Sequence, residues 1–195
     1  MSFLVGITGG IGSGKTTVSN IFSHLGYKVY NSDERAKYLM QTNDKIIREI
    51  TGLLGDSAYS KGALEKTIIA QAIFNNKNLI KKINSIVHPE TIKDFNYWVS
   101  ENKDSILVKE SALIYQSGSY KDLDEIILVE ARDEIRMERV LKRDKHREKD
   151  EILKIIKSQK LKNKDLNPDY ILKNNGEDLL LPKVIEIIEK LKSKV

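Results

Sequence analysis

The feature that most constrains the fold is a glycine-rich segment near the start of the chain, Gly9-Gly10-Ile11-Gly12-Ser13-Gly14-Lys15-Thr16. Its spacing of Gly, four free positions, Gly, Lys and Thr is that of the phosphate loop of nucleoside triphosphate enzymes. The apolar run Phe3–Thr8 before it predicts a buried strand. Apolar residues then recur at helical spacing from Val18 to Leu25, and they predict a helix that ends at Gly26. A strand, the loop and a helix in this order are the context that the motif requires.

The residue types of this segment suit the chemistry of a triphosphate. Glycines let the backbone bring amide N–H groups against phosphate oxygens, and a helix start adds further N–H groups and partial positive charge. We expect Lys15 to reach the β- and γ-phosphates and the Thr16 hydroxyl to bind Mg²⁺. The alternative is a glycine-rich turn without a ligand. The predicted nucleotide-binding residues of the loop are Gly10, Gly12, Ser13, Gly14, Lys15, Thr16 and Thr17.

The composition narrows the class of protein. A chain of 195 residues can bury one substantial core and carry a small inserted subdomain. It has no cysteine, which excludes disulfides and thiolate metal sites. It has no apolar run of about 18 residues, and its amino end has no basic segment followed by an apolar stretch. We therefore expect a cytoplasmic protein without a membrane partner, as a monomer or a weak homo-oligomer.

The charge of the chain is modestly positive. The formal net charge is +5, from 33 Lys and Arg against 28 Asp and Glu. The basic residues alternate with acidic ones instead of forming a block, and aromatic residues do not interleave with them. Such an excess suits an anionic small substrate as well as a nucleic acid. Because this pattern is typical of solvated helix faces, we expect no nucleic-acid partner.

Helical patterns alternate with five apolar segments that predict strands, and this alternation favours a parallel sheet covered on both faces. The predicted strands are Phe3–Thr8, Tyr27–Tyr30, Ser105–Lys109, Glu125–Val129 and Tyr170–Lys173. We therefore predict an α/β chain with the three-layer P-loop NTPase fold and a five-stranded parallel sheet. Residues 1–195 are predicted to form a single domain.

The stretch 34–102 has no convincing strand and is too long for a simple crossover. It is predicted to be a helical insertion on the acceptor side, between the second and third strands. The helices predicted in it include Lys45–Leu54, Leu64–Phe74 and Thr91–Val99. Pro89 is predicted to end one helix and begin the next. By itself, His88 is typical of a capping or packing residue.

A second irregular zone, 132–168, is predicted to contain a lid helix and a hinge. Its arginines recur mainly at three- and four-residue steps and therefore share one side of the helix and its extension. They are Arg132, Arg136, Arg139, Arg143 and Arg147. Such a cluster could close over phosphates and supply charge to the transferred group. The alternative is a surface helix whose arginines pair with acids such as Glu134 and Glu138.

Two acidic residues follow predicted strands, at the edge where open α/β sheets bind ligands. Asp33 follows the second strand and borders the insertion, so it suits a carboxylate that orients an acceptor hydroxyl and takes its proton. Glu110 follows the third strand and could lie near Mg²⁺. The alternatives are a helix N-cap for Asp33 and a solvated strand end for Glu110.

Several segments in the same order along nearly the whole chain resemble one known family, the dephospho-coenzyme A kinases. The segments are Ile7–Thr17, Leu25-Gly26-Tyr27, Asn31-Ser32-Asp33, Gly62-Ala63-Leu64, Ile86–Pro89, Leu113–Gly118, Arg139–Arg143, Gln159 and Asp169–Gly176. The resemblance implies transfer of the γ-phosphoryl group of ATP to the 3′-hydroxyl of the ribose of dephospho-coenzyme A, with Mg²⁺. That reaction is the last step of coenzyme A biosynthesis.

The resemblance also implies roles for single residues. Asp33 would be the base on the acceptor side, and Lys15 and Thr16 would be the phosphate and Mg²⁺ groups. Arg139 and Arg143 would supply the charges of the lid, and Asn174 would lie near the adenine of ATP. His88 and Lys66 would line the acceptor side.

The chain departs from the family pattern at a few positions. Asn31 replaces the usual first Asp, Lys37 and Lys66 stand where arginine is common, and Gln116 replaces a common glutamate. Lysine keeps the charge but loses the bidentate fork for phosphate. Two other functions remain open: a kinase of another small acceptor, such as a nucleoside monophosphate or a hydroxy acid, and a non-catalytic nucleotide switch.

Overall fold

The computed structural model describes residues 2–60, 62–65, 67–69, 76–159 and 167–195. The described elements, in chain order, are β1 (Phe3–Thr8), α1 (Lys15–His24), β2 (Lys28–Asn31), α2 (Ser32–Thr42), α3 (Asp44–Leu54), β3 (Tyr59–Ser60), β4 (Ala63–Leu64), α4 (Lys77–Glu101), β5 (Ile106–Glu110), β6 (Glu125–Glu130), α5 (Asp133–Arg143), α6 (Lys149–Ser158), β7 (Tyr170–Lys173) and α7 (Leu180–Lys192). They form two compact units: Met1–Asn31 with Asn102–Val195, and Ser32–Glu101.

The first unit is built on a five-stranded sheet with the order β2-β5-β1-β6-β7. All four strand pairings are parallel. The predicted α/β fold with a five-stranded parallel sheet is therefore confirmed, and the ends of each predicted strand differ from the observed ends by at most one residue. The central strand β1 lies between β5 and β6, which both come later in the chain, so the strand order reverses direction at β1. Open α/β sheets bind ligands in the crevice at the carboxyl end of such a strand.

One face of this sheet carries the main hydrophobic core of the first unit. Alternate strand residues such as Val5 and Ile7 face α1 and α7, as the two-residue period of a strand requires. Burial of each large apolar side chain contributes about 1.5–3 kcal/mol. The buried members are Val5, Ile7, Val18, Phe22, Ile106, Val108, Ile127, Val129, Leu172, Val184, Ile187, Ile188 and Leu191. This packing holds the start of α1 against the end of β1.

Two aspartates fix the register at the amino ends of the strands. The Leu4 N–H donates to Asp124 Oδ2 at 2.7 Å, and the Asp124 N–H donates to the Leu4 carbonyl at 2.8 Å. Ile126 and Asp169 form the same reciprocal pair, at 2.7 and 2.9 Å. Because a register slip would break both bonds of a pair, these contacts align the opposite, carboxyl ends of β1, β6 and β7.

The second unit contains α2, α3, the β3–β4 hairpin and α4. Its core consists of Leu39, Ile46, Ile50, Ala58, Ile69, Ile83 and Val87. The side chain of Asn43 caps α3 by accepting from the N–H groups of Lys45 and Ile46, at 3.0 and 3.1 Å. Within the described ranges, every helix is too short or too polar to cross a bilayer.

The prediction that Pro89 separates two helices is wrong. The helix α4 runs without interruption from Lys77 to Glu101, with Pro89 inside it. An interior proline costs about 3 kcal/mol because it removes a hydrogen bond and crowds the preceding turn. Val87 before the proline and Phe95 after it are both buried, at 5 and 3 % exposure. The packing of both halves therefore outweighs the local preference of proline.

The prediction that the insertion lacks strands is also wrong. Tyr59–Ser60 pairs with Ala63–Leu64 in a short antiparallel hairpin, so Leu64 does not begin a helix. Strands of two residues carry too little alternation to be visible in a sequence. The Tyr59 hydroxyl donates to the carbonyl of Met40 at 2.7 Å and ties the hairpin to α2. Of the rest of the predicted helix, the structure describes Glu65, which is not helical, and residues 67–69, which are helical.

A buried carboxylate in α4, that of Glu90, is expected to make the stability of the second unit sensitive to acid. Glu90 accepts from Lys45 Nζ at 2.9 Å and from Lys93 Nζ at 3.0 Å. These bonds lower the pKa of the Glu90 carboxyl below its ordinary value of 4.5. A depressed pKa means that the unfolded state takes up the proton first, so the stabilisation is present above the ordinary pKa and is lost as the pH falls through the folded value.

We therefore expect the free energy of unfolding of the wild type to fall on acidification below about pH 5 by more than that of Glu90→Gln. Urea denaturation at a series of pH values measures this difference. Equal slopes for the two proteins would contradict the assignment of the acid sensitivity to Glu90.

Candidate active site

The loop between β1 and α1 has the backbone of an anion site. Gly12 and Gly14 have φ values of 75° and 101°, a region that side chains other than glycine rarely adopt. The N-cap of α1 is Gly14, which has no side chain to cap the helix. The first N–H groups of a helix have no partner within the helix, so the start of α1 suits an anionic ligand, which its partial positive charge also favours.

Lys15 lies close against this loop. Lys15 is only 9 % exposed, and its Nζ donates to the carbonyl oxygen of Gly10 at 3.5 Å. The ammonium group is therefore held over the glycines and not extended into solvent. Thr17, which follows Thr16 on the first turn of α1, is exposed.

Glu110 and Thr16 form the polar group at the carboxyl end of β5. The Thr16 hydroxyl donates to Glu110 Oε1 at 2.9 Å, and Asn31 Nδ2 donates to Oε2 at 3.3 Å. Asn31 and Glu110 are register partners on β2 and β5, and Glu110 is 4 % exposed. Hydroxyl and carboxylate oxygens are the ligands that Mg²⁺ prefers, so Thr16 and Glu110 fit that ion. In the sequence, Glu110 was indicated by its position at the end of a predicted strand.

Asn174 and Arg139 contact the loop from two later parts of the chain. Asn174 Nδ2 donates to the Ser13 carbonyl at 2.8 Å, and Arg139 Nη2 donates to Asn174 Oδ1 at 3.3 Å. Arg139 Nη1 also lies 3.4 Å from the Gly12 carbonyl oxygen. A Cβ at Gly14 would come within 2.1 Å of Asn174 Nδ2, so this packing requires glycine there. The structure thus brings together three predicted groups: the loop, Asn174 and Arg139.

Arg143 has a different environment. Its guanidinium donates to both carboxylate oxygens of Asp144, at 2.8 and 3.0 Å, and its side chain is 63 % exposed. This contact holds the pKa of the Asp144 carboxyl below its ordinary value. Arg139 therefore contacts the loop in this structure, whereas Arg143 pairs with its neighbour in sequence.

Two side chains at the loop were not among the predicted site residues. Arg136 Nε donates to the Ile11 carbonyl at 2.9 Å, and Gln159 Oε1 accepts from the Ile11 N–H at 2.6 Å. Arg136 lies one helical turn before Arg139, and this spacing was the only signal for it in the sequence. A cavity of about 440 Å³ borders the loop, and its lining includes Gly10, Ser13, Arg132, Arg136 and Gln159.

Two of the predicted acceptor-side residues lie in the second unit. Asp33 is exposed in the first turn of α2, which begins at Ser32. His88 is half-buried in α4, and burial lowers the pKa of its imidazole below 6.5, so the ring is neutral at pH 7. The third predicted residue, Lys66, lies outside the described residues.

Comparison with known proteins decides the family. Residues 3–179 match the family model described as dephospho-CoA kinase. The chain belongs to this family. The dephospho-CoA kinase of Porphyromonas gingivalis is 37 % identical over 191 residues, which cover 97 % of this chain and 95 % of that protein. The resemblance inferred from the sequence is therefore confirmed.

Solved structures agree at the level of the fold. A protein of Thermus thermophilus matches with a TM-score of 0.81 and 24 % identity, over 100 % of this chain and 98 % of that one. The dephospho-CoA kinase from Campylobacter jejuni matches with a TM-score of 0.70 and 22 % identity, over all of both chains. The family is one of kinases, so the prediction of a kinase that uses a nucleotide substrate is confirmed.

Proposed function

We propose that this kinase transfers the γ-phosphoryl group of ATP to the 3′-hydroxyl of the ribose of dephospho-coenzyme A, giving coenzyme A and ADP. The observation that carries the proposal is the glycine loop with the Lys15 ammonium held over it, in a chain that matches the family along 3–179. Membership of the family supports the choice of acceptor, and the loop supports the choice of a triphosphate donor.

The phosphate chain binds to the loop and to the start of α1. Backbone N–H groups of the loop and of the first turn of α1 donate to its oxygens, apart from those of Ile11 and Ser13, which donate to Gln159 and Gly10. Lys15 neutralises the β- and γ-phosphates. Arg139 adds a second positive charge, and Asn174 orients it through their hydrogen bond. Because these groups are in place before the reaction, they stabilise the charge of the transition state without reorganisation.

Mg²⁺ would be held by Thr16, and Glu110 would accept from the hydroxyl of Thr16 or from water bound to the ion. When bound, the ion neutralises charge on the β- and γ-phosphates. Asn31 contributes a neutral amide donor to Glu110, so the carboxylate has a partner for each oxygen. The replacement of the family's usual acid at position 31 therefore avoids two adjacent carboxylates on β2 and β5.

The transfer itself needs one base and an in-line geometry. Asp33 accepts the proton of the 3′-hydroxyl as the bond between that oxygen and the γ-phosphorus forms. The bond from the γ-phosphorus to the bridging oxygen breaks, and ADP leaves with that oxygen. His88 would contact the acceptor, and its neutral imidazole donates or accepts a hydrogen bond there without adding charge. The family resemblance implies a role on the same side for Lys66.

Replacing Glu110 by glutamine should weaken the dependence on Mg²⁺. Loss of one charge-assisted contact predicts about a tenfold rise in the Mg²⁺ concentration at half-maximal rate. Calorimetric titration of the ADP complex with Mg²⁺ should show the same loss of affinity without turnover. Asp104→Asn, two residues before the start of the same strand, is the matched control. Unchanged Mg²⁺ affinity in Glu110→Gln would contradict the role of Glu110.

A panel of acceptors tests the proposed reaction. ADP release is measured with dephospho-coenzyme A, AMP and shikimate offered separately, and we expect turnover with the first alone. Faster turnover with AMP or shikimate would show a kinase of another acceptor. Slow turnover with every acceptor, together with a partner whose affinity depends on the bound nucleotide, would show a nucleotide switch.

A further inference from the structure

Two side chains hold the backbone of Ile11, at the tip of the phosphate loop. One comes from α5, and the other comes from the residue that follows α6. The carbonyl of Ile11 accepts from Arg136 Nε at 2.9 Å, and its N–H donates to Gln159 Oε1 at 2.6 Å. The two peptide groups that flank Ile11 are each bonded to a distant side chain, so neither is free to rotate. The orientation of Ile11 is therefore set by α5 and α6 and not by the loop alone.

The side chain of Ile11 takes part in the same contact. Val140, Ile152 and Ile156 form a small buried cluster between α5 and α6, at 1, 0 and 2 % exposure, and Ile11 packs against it. The tip of the loop is thus an apolar anchor in the core of the helix pair. Any change in the packing of α5 on α6 acts on the loop through this contact.

Arg136 also excludes side chains from two loop positions. A Cβ at Gly10 would lie 2.0 Å from Arg136 Nη2, and one at Gly12 would lie 2.5 Å from the Arg136 carbonyl oxygen. The arginine side chain is 12 % exposed, and its Nη1 donates to Asp133 at 3.0 Å. Nη2 is buried and has no hydrogen-bond partner among the described residues. The charged guanidinium therefore lies close against Gly10, with the N–H groups of Nη2 unused.

Asp133 already pairs with the charge of the guanidinium, but the buried Nη2 still lacks an acceptor, and a buried donor without an acceptor is costly. The loop on which Arg136 packs has the backbone of an anion site. Binding of a triphosphate would reduce this electrostatic cost, and by linkage the guanidinium would favour the bound triphosphate.

We propose that Arg136 is a positioning residue for the bound triphosphate. It holds the Ile11 peptide and the adjoining glycines in the conformation that binds phosphates, and so couples the packing of α5 and α6 to the affinity for ATP. The inference rests on the proposed function for its kinetic consequences, but its effect on nucleotide binding is independent of the acceptor.

The test compares Arg136→Met and Arg136→Lys with Lys142→Met, which removes an exposed cation from the same helix. Calorimetry measures the Kd for Mg·ATP, and steady-state kinetics measures KM for each substrate and kcat. Loss of a hydrogen bond from a charged group predicts that Arg136→Met raises the Kd and KM for ATP about ten- to hundredfold. The KM for dephospho-coenzyme A should stay within about twofold, and Lys142→Met should match the wild type.

Arg136→Lys separates the charge from the shape of the guanidinium. A lysine keeps the charge but has no planar fork to pack on Gly10 while it bonds to Ile11, so we expect it to restore less than half of the lost binding free energy. Hydrogen exchange gives a second readout: Mg·ATP should increase the protection of 133–158 in the wild type and not in Arg136→Met.

The proposal is overturned if Arg136→Met lowers the melting temperature but binds Mg·ATP like the wild type, since that is the result of a purely structural role. If Arg136→Met does not fold, Gln159→Met removes the other bond to Ile11, and an unchanged Kd for Mg·ATP there overturns it equally. A wild type that binds Mg·ATP but does not phosphorylate dephospho-coenzyme A would instead contradict the proposed function, and the binding comparison would still test Arg136.

Discussion

Replacement of Lys15 by alanine is expected to lower kcat/KM by about a thousandfold or more, equivalent to roughly 4 kcal/mol of transition-state stabilisation. The ammonium is buried against the loop and lies 3.5 Å from the carbonyl oxygen of Gly10. Lys15→Ala therefore removes a positive charge from the place where negative charge moves during phosphoryl transfer. Water does not replace that charge well in a buried position.

Steady-state kinetics with the acceptor at saturation measures this effect. Lys142→Ala, which removes an exposed lysine from α5, is the matched control and should keep the wild-type rate. The melting temperature shows whether Lys15→Ala remains folded. A folded Lys15→Ala protein with wild-type turnover would show that the loop does not act on the triphosphate as proposed.

Replacement of Asp33 by asparagine is expected to lower kcat by about 10² to 10⁴, the range for loss of a general base. The amide has nearly the same shape as the carboxylate but cannot take the proton of the acceptor. Since Asp33 is exposed in the first turn of α2, its replacement should not disturb the core of the second unit. The KM for ATP and the melting temperature should therefore stay close to those of the wild type.

The matched control is Glu34→Gln, which removes the neighbouring carboxylate from the same helical turn. It separates the role of a base from the general effect of negative charge at a helix start. If Asp33→Asn and Glu34→Gln had the same rate as the wild type, another group would have to be the base. Equal losses in both variants would indicate an electrostatic effect and not proton transfer.

The sheet and the phosphate loop could be predicted because their signals are local. An apolar run of about six residues, a fixed spacing of glycines and a helical period each lie within one short window of sequence. The second unit was harder because tertiary packing overrides such local preferences. Pro89 would normally end a helix, yet buried Val87 and Phe95 keep α4 continuous across it. The β3–β4 hairpin is too short to show a period.

The site divides in the same way. Lys15, Thr16 and the glycines follow from the motif, and Asn174 and Arg139 follow from the family resemblance. The contacts of Ile11 could not be predicted, because Arg136 and Gln159 lie 125 and 148 residues from it along the chain. The pairing of Arg143 with Asp144 could not be predicted either. A helical period indicates which side of the helix an arginine lies on, but not which acidic residue it pairs with.

The central claim is that the γ-phosphoryl group of ATP moves to the ribose 3′-oxygen of dephospho-coenzyme A. The most direct measurement is phosphorus NMR of the purified product after incubation of the wild type with both substrates and Mg²⁺. We predict one new monophosphate ester at the 3′-oxygen, a product identical to coenzyme A, and one ADP for each ester formed. ADP release without that ester, or an ester on a different oxygen, would contradict the account.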